Sequence, residues 1–598
     1  MPIDRRLARL VPIALAALVS LTGCGHNPML AKPAKNGASF TEKGRKSTRT
    51  TQVRLEERLG EYIARYREHH DIPGVSVALV DLQAGTWSRG FGLADREKGR
   101  AATEETVYRA GSLAKLYTAT AVLQLAAEGR IDLDRPVRDY LPGFQVRQRF
   151  SGTAPITVRD LVTHHSGLPC DLTKGMWSRT PYMSALAELD EVYASYPPGE
   201  IFSYSNLGYT LLGRLVESVE GRPYQVHVRE SLLEPLGAQH SRFATTAEEV
   251  PGLAAGYRDG LRGDPLPMRD LPALGLHTSA RDLAGLLRML LTRGDTPQGD
   301  VLPDAAVQAM FAPQNADVPL DFDLRVGLGL FLDDTGLAAA GTVARHSGTT
   351  PLFAAEVVLL PDHDMAVAVL ANRGDRQHAV GRLAEEILRQ ALTARRGLQM
   401  PVPQRRPLLQ RADALPPEIG GRYATELGLI ELRPHERTVK ALTLEHDYDL
   451  IPYEDGHFVL RPRGGPGREM LLAYRRIDGR EVLAAYQDGR ALPFGLKVGR
   501  KPIHRAWRTR VGEYQLTNPD ARFPVEGVCL RHDDGNLYLE YRMPSVTTRT
   551  IRVPVRAVSS DLAVTLGLGR TRGEALHITH AGGQELLHFS GYTARRVN

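Results

Sequence analysis

The segment SLAKLYTATAVLQLAA, residues 112–127, is apolar on nearly every side. This pattern is typical of a helix buried in the core rather than of an amphipathic surface helix. Lys115 is its only charged residue, and an unpaired ammonium group in a core carries a large desolvation cost. We therefore expect Lys115 to have either a partner or a chemical use.

Ser112 precedes Lys115 by three residues, at the predicted N-terminus of this helix. Residues three apart share one helix face, and the free N–H groups and dipole of a helix N-terminus favour developing negative charge. This arrangement indicates a nucleophilic serine whose proton can be accepted by the lysine amine, provided that the pKa of the amine is lowered. Two alternatives stay open here: Ser112 as a helix cap only, and Lys115 reaching the surface along its apolar stem.

Two further motifs follow along the chain, Tyr204-Ser205-Asn206 and His346-Ser347-Gly348. With Ser112-Leu113-Ala114-Lys115 they resemble the three ordered motifs of serine β-lactamases and penicillin-binding proteins, in the form of the class C branch. Three surrounding stretches are also similar to hallmarks of this family: ITVRDLVTHHSGLP (156–169), PPGEIFSYSNLGYTLLG (197–213) and GLHTSARDLAGLL (275–287). The resemblance covers residues 55–395.

The resemblance implies a role for each motif. Ser112 is the expected nucleophile that forms an acyl-enzyme, and Lys115 and Tyr204 share the proton transfers. Asn206 orients the substrate amide and Lys115, with an alternative role as N-cap of a helix that begins at Leu207.

The third motif is expected to form the substrate-binding strand, which comprises His346, Ser347, Gly348 and Thr349. The backbone N–H groups of Ser112 and Thr349 are the expected oxyanion hole. The glycine lets the strand backbone approach the substrate closely. A second His-Ser-Gly at residues 165–167 ends a helical pattern and is interpreted as a structural turn.

His346 stands where the family usually has a lysine. A lysine there is a fixed cation for a substrate carboxylate, whereas histidine, with an ordinary pKa of about 6.5, is mostly neutral at pH 7. His-x-Gly variants occur among the D-peptidases of the family. The resemblance thus implies a serine hydrolase acting on a D-amino-acid peptide, a β-lactam or a small ester. The alternative is a catalytically weak binding or sensing lipoprotein.

The hydrophobic pattern divides the chain into a domain at 54–398, a Pro- and Arg-rich linker at 399–409 and a β-rich region at 410–598. A helix and two strands open the first domain, and strands and a helix close it. This order predicts an α+β fold with one sheet built from both ends and a helical lobe between them. Short alternating segments predict a barrel-like all-β region of one lobe or two. A repeated Gly-x-Tyr in 420–433 and 511–531 indicates an internal repeat.

The N-terminal residues are predicted to form a targeting signal. Three arginines precede the apolar run at residues 10–21, which is too short for a comfortable membrane span. Leu21-Thr22-Gly23-Cys24 resembles a bacterial lipobox. We therefore expect a signal peptide at 1–24, a lipid on Cys24, a flexible linker at 25–53 and a lipid-anchored location in the bacterial cell envelope. A plain signal peptide is the alternative.

Composition excludes several classes of protein and of partner. In 598 residues, Lys+Arg 75 against Asp+Glu 69 gives a net charge of +6, too little to indicate a nucleic-acid partner. Three cysteines exclude a disulfide scaffold and a cysteine-based zinc module, and no metal or cofactor is expected. Cys170 and Cys529 are left either as free thiols or as a bridge. The expected partners are a small-molecule or peptide substrate and the membrane, through the lipid.

Overall fold

The computed structural model describes residues 42–597, with gaps at 182–186, 188, 333–335, 401–409, 442–445, 464–468, 488–489, 500, 522, 534 and 546–548. The predicted signal peptide, Cys24 and the first part of the predicted 25–53 linker lie outside the described residues. Among the described residues, Cys170 and Cys529 are both buried free thiols. Within the same residues, no helix combines the length and apolar character that a bilayer crossing requires.

One antiparallel sheet organises the first domain. Its seven strands run in the order β3-β2-β1-β12-β11-β10-β9, so strands from both ends of the domain pair at its centre, as predicted. The strands are β1 (Gly74–Asp81), β2 (Gly85–Asp95), β3 (Arg100–Ala101), β9 (Phe331–Leu332), β10 (Ala344–Thr349), β11 (Ala354–Leu360) and β12 (Met365–Ala371).

Both faces of this sheet are covered by helices. α1 (Glu42–His69) and α9 (Gln377–Arg396) bury one face with the side chains of Val75, Val77 and Leu79. The other face packs Ala78 and Val80 against the helical lobe. Because side chains alternate along a strand, a strand covered on both faces has a continuous apolar sequence, as VSVALV (75–80) does.

The helical lobe lies between the two halves of the sheet in sequence. Its helices are α2 (Ala114–Ala127), α3 (Val158–Val162), α4 (Asn206–Glu220), α5 (Tyr224–Val228) with a π-helical turn (Arg229–Leu233), α6 (Leu271–Leu274), α7 (Ala280–Leu291) and α8 (Asp304–Met310). Short strands link it to the sheet: β4 (Tyr108–Gly111), β5 (Arg242–Phe243), β6 (Gly256–Arg258), β7 (Leu261–Gly263) and β8 (Leu276–Thr278).

Two closed eight-stranded barrels follow. The first contains β13 (Gly421–Thr425), β14 (Gly428–Leu432), β15 (Thr438–Ala441), β16 (His446–Pro452), β17 (His457–Pro462), β18 (Met470–Ile477), β19 (Arg480–Gln487) and β20 (Arg490–Lys497). After α10 (Arg505–Thr509), the second contains β21 (Gly512–Leu516), β22 (Glu526–Asp533), β23 (Asn536–Arg542), β24 (Thr550–Ala557), β25 (Leu562–Thr565), β26 (Ala575–Ala581), β27 (Gln584–Phe589) and β28 (Tyr592–Arg596). The predicted β-rich region therefore has two lobes.

Two expected boundaries differ from the structure. α1 begins at Glu42, so residues 42–53, predicted as flexible linker, are helical. The apolar period begins only at Leu55, but backbone hydrogen bonds propagate a helix beyond its packed part. The sequence pattern of residues 326–332 also predicts a strand, but only Phe331–Leu332 forms one, because Gly329 turns the chain with φ 81°.

Candidate active site

Ser112 lies in the turn that leads into α2, whose first helical residue is Ala114. The Lys115 N–H donates to the Ser112 carbonyl at 3.0 Å, which tightens this turn. The Lys115 side chain is fully buried, and its Nζ lies 3.3 Å from Ser112 Oγ. The amine therefore ends beside the serine hydroxyl and does not reach the surface.

Lys115 has two further partners inside the lobe. Its Nζ donates to Asn206 Oδ1 at 2.7 Å and to the Ala273 carbonyl at 2.8 Å. Burial, together with the nearby Arg570 guanidinium, lowers the pKa of Lys115 to about 7 against the raising effect of Asp171. A substantial fraction of this amine is thus unprotonated at neutral pH and able to accept a proton.

Asn206 is the first residue of α4, but it does not cap the helix. The N-cap is Ser205, whose hydroxyl accepts the Gly208 N–H at 2.9 Å. The alternative cap role expected for Asn206 is therefore wrong, because its neighbour already satisfies the helix N-terminus. Asn206 instead connects Lys115 to Asp171, donating from Nδ2 to Asp171 Oδ1 at 2.7 Å.

Tyr204 completes the group around the serine. Its ring centroid lies 4.9 Å from Lys115 Nζ, and the ring stacks on His164 at a centroid distance of 4.2 Å. Burial raises the pKa of Tyr204 well above its usual value, while its interaction with the Ser112 side chain opposes this rise. Tyr204 is therefore a neutral phenol in the resting site, suited to relay a proton rather than to act as a standing phenolate.

The β10 strand places the third motif against the loop that carries Ser112. A Cβ on Gly348 would lie 1.9 Å from the Ala110 carbonyl oxygen, so only glycine fits there. A Cβ on Gly111 would lie 3.1 Å from the Thr349 amide nitrogen. The backbones beside Ser112 and Thr349, the two expected oxyanion-hole donors, are thus in close contact. Ser347, the middle residue of the motif, pairs in register with Glu356 of β11.

His346 is buried on β10. Its Nδ1–H donates to the Ser347 carbonyl at 2.8 Å, which leaves Nε2 as an acceptor in the neutral ring. Burial and the neighbouring Lys115 lower the pKa of His346 to about 3. His346 therefore provides no cation at neutral pH.

The other His-Ser-Gly serves the structure. His165 is buried, with Nε2 2.8 Å from Asp321 Oδ2 and Nδ1 3.1 Å from Thr163 Oγ1. The preceding residue, His164, has φ 62° and its Nδ1 accepts the Ser205 N–H at 3.0 Å. Through His164, the loop thereby holds the start of α4 and packs against one face of the Tyr204 ring.

The sequence reasoning missed three residues of this site: His164, Asp171 and Arg570. The first two lie in or beside the family-like stretch 156–169, so their position in the sequence was a usable signal. Arg570 comes from the second barrel, and its Cζ lies 4.9 Å from the Tyr204 ring centroid. No sequence signal connects it to Ser112. Among the described residues, no cluster of three His, Cys, Asp or Glu could hold a metal ion.

Comparison with known proteins agrees with this fold. The sheet and the helical lobe are those of the β-lactamase and penicillin-binding protein class. A model of the Beta-lactamase family matches residues 59–392, more than half of the chain. The chain belongs to this family, so the resemblance and the fold class inferred from the three motifs are confirmed.

Individual relatives cover different parts of the chain. Penicillin-binding protein 4 of Amycolatopsis lactamdurans is 31% identical over 42% of this chain and 68% of its own length. Protein flp of Staphylococcus aureus is 28% identical over 50% of this chain and 60% of its own length. This chain therefore spans about two thirds of the length of these relatives.

Two solved structures extend the likeness beyond the first domain. The octameric penicillin-binding protein homologue from Pyrococcus abyssi aligns over 74% of this chain and 99% of its own, with 25% identity and a TM-score of 0.51. SurE in complex with D-Leu aligns over 74% of this chain and 100% of its own, with 26% identity and a TM-score of 0.55.

Proposed function

We propose that this protein is a serine hydrolase that cleaves an amide or ester through an acyl-enzyme on Ser112. The observation that carries the proposal is the 3.3 Å approach of a fully buried lysine amine to the Ser112 hydroxyl. Membership of the Beta-lactamase family supports hydrolase chemistry at this pair.

In the proposed acylation, the unprotonated Lys115 amine accepts the Ser112 proton, directly or through the Tyr204 hydroxyl. Ser112 Oγ then forms a bond to the substrate carbonyl carbon, and the N–H groups of Ser112 and Thr349 bind the resulting oxyanion. Proton return from Lys115 through Tyr204 to the leaving group breaks the scissile bond. Water attacks the acyl-enzyme by the same route and releases the acid.

The decisive test is Ser112→Ala. A fluorophosphonate or penicillin probe should label the parent on Ser112, and the variant should lose both covalent labelling and turnover. Ser347→Ala, which removes a hydroxyl of the third motif but not the nucleophile, is the matched control and should still be labelled. Labelling and turnover of Ser112→Ala equal to the parent would contradict the proposal.

The proposed substrates are a D-amino-acid peptide, a β-lactam or a small ester. The likeness to SurE, which was solved with D-Leu, supports the first of these. A panel of a chromogenic β-lactam, a D-Ala-D-Ala peptide, a D-aminoacyl amide and a short-chain ester separates them by kcat/KM.

A second candidate is a penicillin-binding sensor with poor turnover, which the neutral His346 favours because this side chain offers a substrate carboxylate no cation. Rapid-mixing kinetics distinguish the two functions. A stoichiometric burst without a steady state indicates the sensor, and sustained turnover indicates the enzyme.

We further propose that Cys24 carries a lipid that anchors the protein in the bacterial cell envelope. The support is the sequence alone: a basic segment, a short apolar run and Leu21-Thr22-Gly23-Cys24. Metabolic labelling with a fatty-acid analogue should mark the parent and spare Cys24→Ser. Equal labelling of both would contradict the anchor.

A further inference from the structure

The loop between β25 and β26, residues 566–574, reaches from the second barrel into the candidate active site. At its tip, Arg570 stacks on Tyr204, with Cζ 4.9 Å from the ring centroid. The Arg570 Nε donates to Cys170 Sγ at 3.1 Å. The Tyr204 phenol of the candidate active site therefore has a guanidinium from another domain against it.

The loop is seated firmly on the hydrolase domain. The Tyr196 hydroxyl, which is buried, donates to the carbonyls of Gly567 and Gly569 at 3.2 and 3.4 Å. Arg149 Nη2 donates to the Gly573 carbonyl at 2.9 Å, and a Cβ on Gly573 would lie 2.5 Å from the Ser195 carbonyl oxygen. These contacts hold the tip of the loop at the site.

The charged end of Arg570 is available for a ligand. Arg570 is exposed, and among the described residues neither terminal nitrogen has a hydrogen-bond acceptor. Two nearby carboxyl groups have other partners: Asp171 accepts from Asn206 and from Cys170 Sγ, and Glu574 accepts from the Cys170 N–H at 3.0 Å. Among the described residues, Arg570 therefore has no ion pair within 4 Å.

We propose that Arg570 binds a carboxylate of the substrate, in place of the cation that His346 does not supply. The guanidinium offers paired N–H donors that match a carboxylate, and its Cζ lies 4.9 Å from the ring centroid of Tyr204, the phenol of the candidate active site. The inference rests on the proposed acyl-serine function. It narrows the substrate class to amides or esters that bear a free carboxylate close to the scissile bond.

The test uses arylboronic acids, which add reversibly to a serine oxygen and need no turnover. The ortho, meta and para isomers of carboxyphenylboronic acid are each compared with the corresponding neutral carboxamide on the full chain. We expect the parent to prefer at least one carboxylate isomer by about 10–100-fold, the range of a charge-assisted hydrogen bond. Arg570→Gln should abolish this preference, and Arg570→Lys should retain part of it.

Controls separate recognition from folding and from the chemistry itself. Arg595→Gln, an exposed arginine of the same barrel, should keep the parental preference, and fluorophosphonate labelling of Arg570→Gln reports that Ser112 is intact. A labelled parent without any carboxylate preference, or a preference that survives Arg570→Gln, overturns the inference alone. A parent that neither fluorophosphonate nor boronate modifies refutes the acyl-serine function, and the role of Arg570 with it.

Discussion

The two barrels share one frame and contact the active site in different ways. Each contains eight strands closed in the same order. Each opens with Gly-x-Tyr, and the tyrosine hydroxyl donates to the carbonyl four residues earlier, Tyr423 to Ile419 at 2.8 Å and Tyr514 to Arg510 at 2.7 Å. The predicted internal repeat corresponds to this shared frame.

The contacts diverge at the site. The first barrel contributes an apolar residue, Leu492, to the cluster that contains Phe331 and Tyr204, while Arg480 forms an ion pair with Glu200 at the rim. The second barrel contributes Arg570 and Glu574. The two barrels therefore share a frame but differ in their contacts with the site. The contact of the second barrel with Tyr204 depends on its β25–β26 loop and not on the frame.

Charge reversal provides the largest expected contrast between the barrels. Arg570→Glu places a carboxylate beside Tyr204 and near Asp171, and removes the cation that helps to keep Lys115 unprotonated. We expect kcat/KM at pH 7 to fall about 100-fold, the size of a lost charged interaction. Arg480→Glu in the first barrel, at a partly exposed ion pair, should stay within about threefold. Equal losses in the two variants would show that both barrels act only as packing.

The pH dependence of acylation sharpens the same contrast. Since Lys115 must be unprotonated to accept the serine proton, kcat/KM should rise with pH through about 7, the pKa of Lys115. Arg570 lowers that pKa, so Arg570→Gln should move the rising limb of the kcat/KM profile to higher pH. Asp171 raises it, so Asp171→Asn should move the limb to lower pH. A limb that both variants leave in place would mean that another group controls acylation.

Part of this site could be predicted from the sequence and part could not. The Ser112–Lys115 pair follows from helix spacing, because three residues place both side chains on one face. Tyr204, Asn206 and His346 are remote in sequence, so only the family motifs connected them to the serine. Arg570 has no motif, and its position depends on how a barrel loop docks. That docking is a tertiary property which local patterns do not encode.

The helix cap of α4 and the closure of the barrels also depend on tertiary contacts. Asn206 and Ser205 are both good N-cap residues. In the structure Ser205 is the N-cap, and Asn206 Oδ1 instead accepts a hydrogen bond from Lys115 Nζ. The barrels could be predicted as β-rich from alternation, but their closure depends on pairing between first and last strands, such as Tyr423 with Lys497.

The loop of the second barrel also carries a pH-sensitive contact. Burial raises the pKa of Glu574 to about 7, above the ordinary value of a glutamate. The folded state then binds more protons than the unfolded state between pH 4.5 and 7, so this group's contribution to stability is lost as the pH rises through 7.

Glu574→Gln keeps an oxygen for the Cys170 N–H and removes the charge. At pH 8 we expect a higher Tm for this variant, by a few degrees, for a gain of about 1 kcal/mol after allowance for partial exposure. At pH 5 the difference should disappear. Glu431→Gln, at an ion pair of the first barrel, should show no such gain at pH 8. A pH-independent difference for Glu574→Gln would assign its effect to packing.

The smallest expected effect tests whether the two frames are equivalent. Tyr423→Phe and Tyr514→Phe each delete one buried hydroxyl and leave one carbonyl without its donor, so each should lower the free energy of unfolding by about 1 kcal/mol. Urea unfolding of each variant measures the two losses of free energy. Neither substitution should change kcat/KM, because both tyrosines lie in barrel cores. Equal losses mean that the barrels differ only in their loops. A loss confined to Tyr514→Phe, with a fall in activity, would mean instead that the second frame itself positions Arg570.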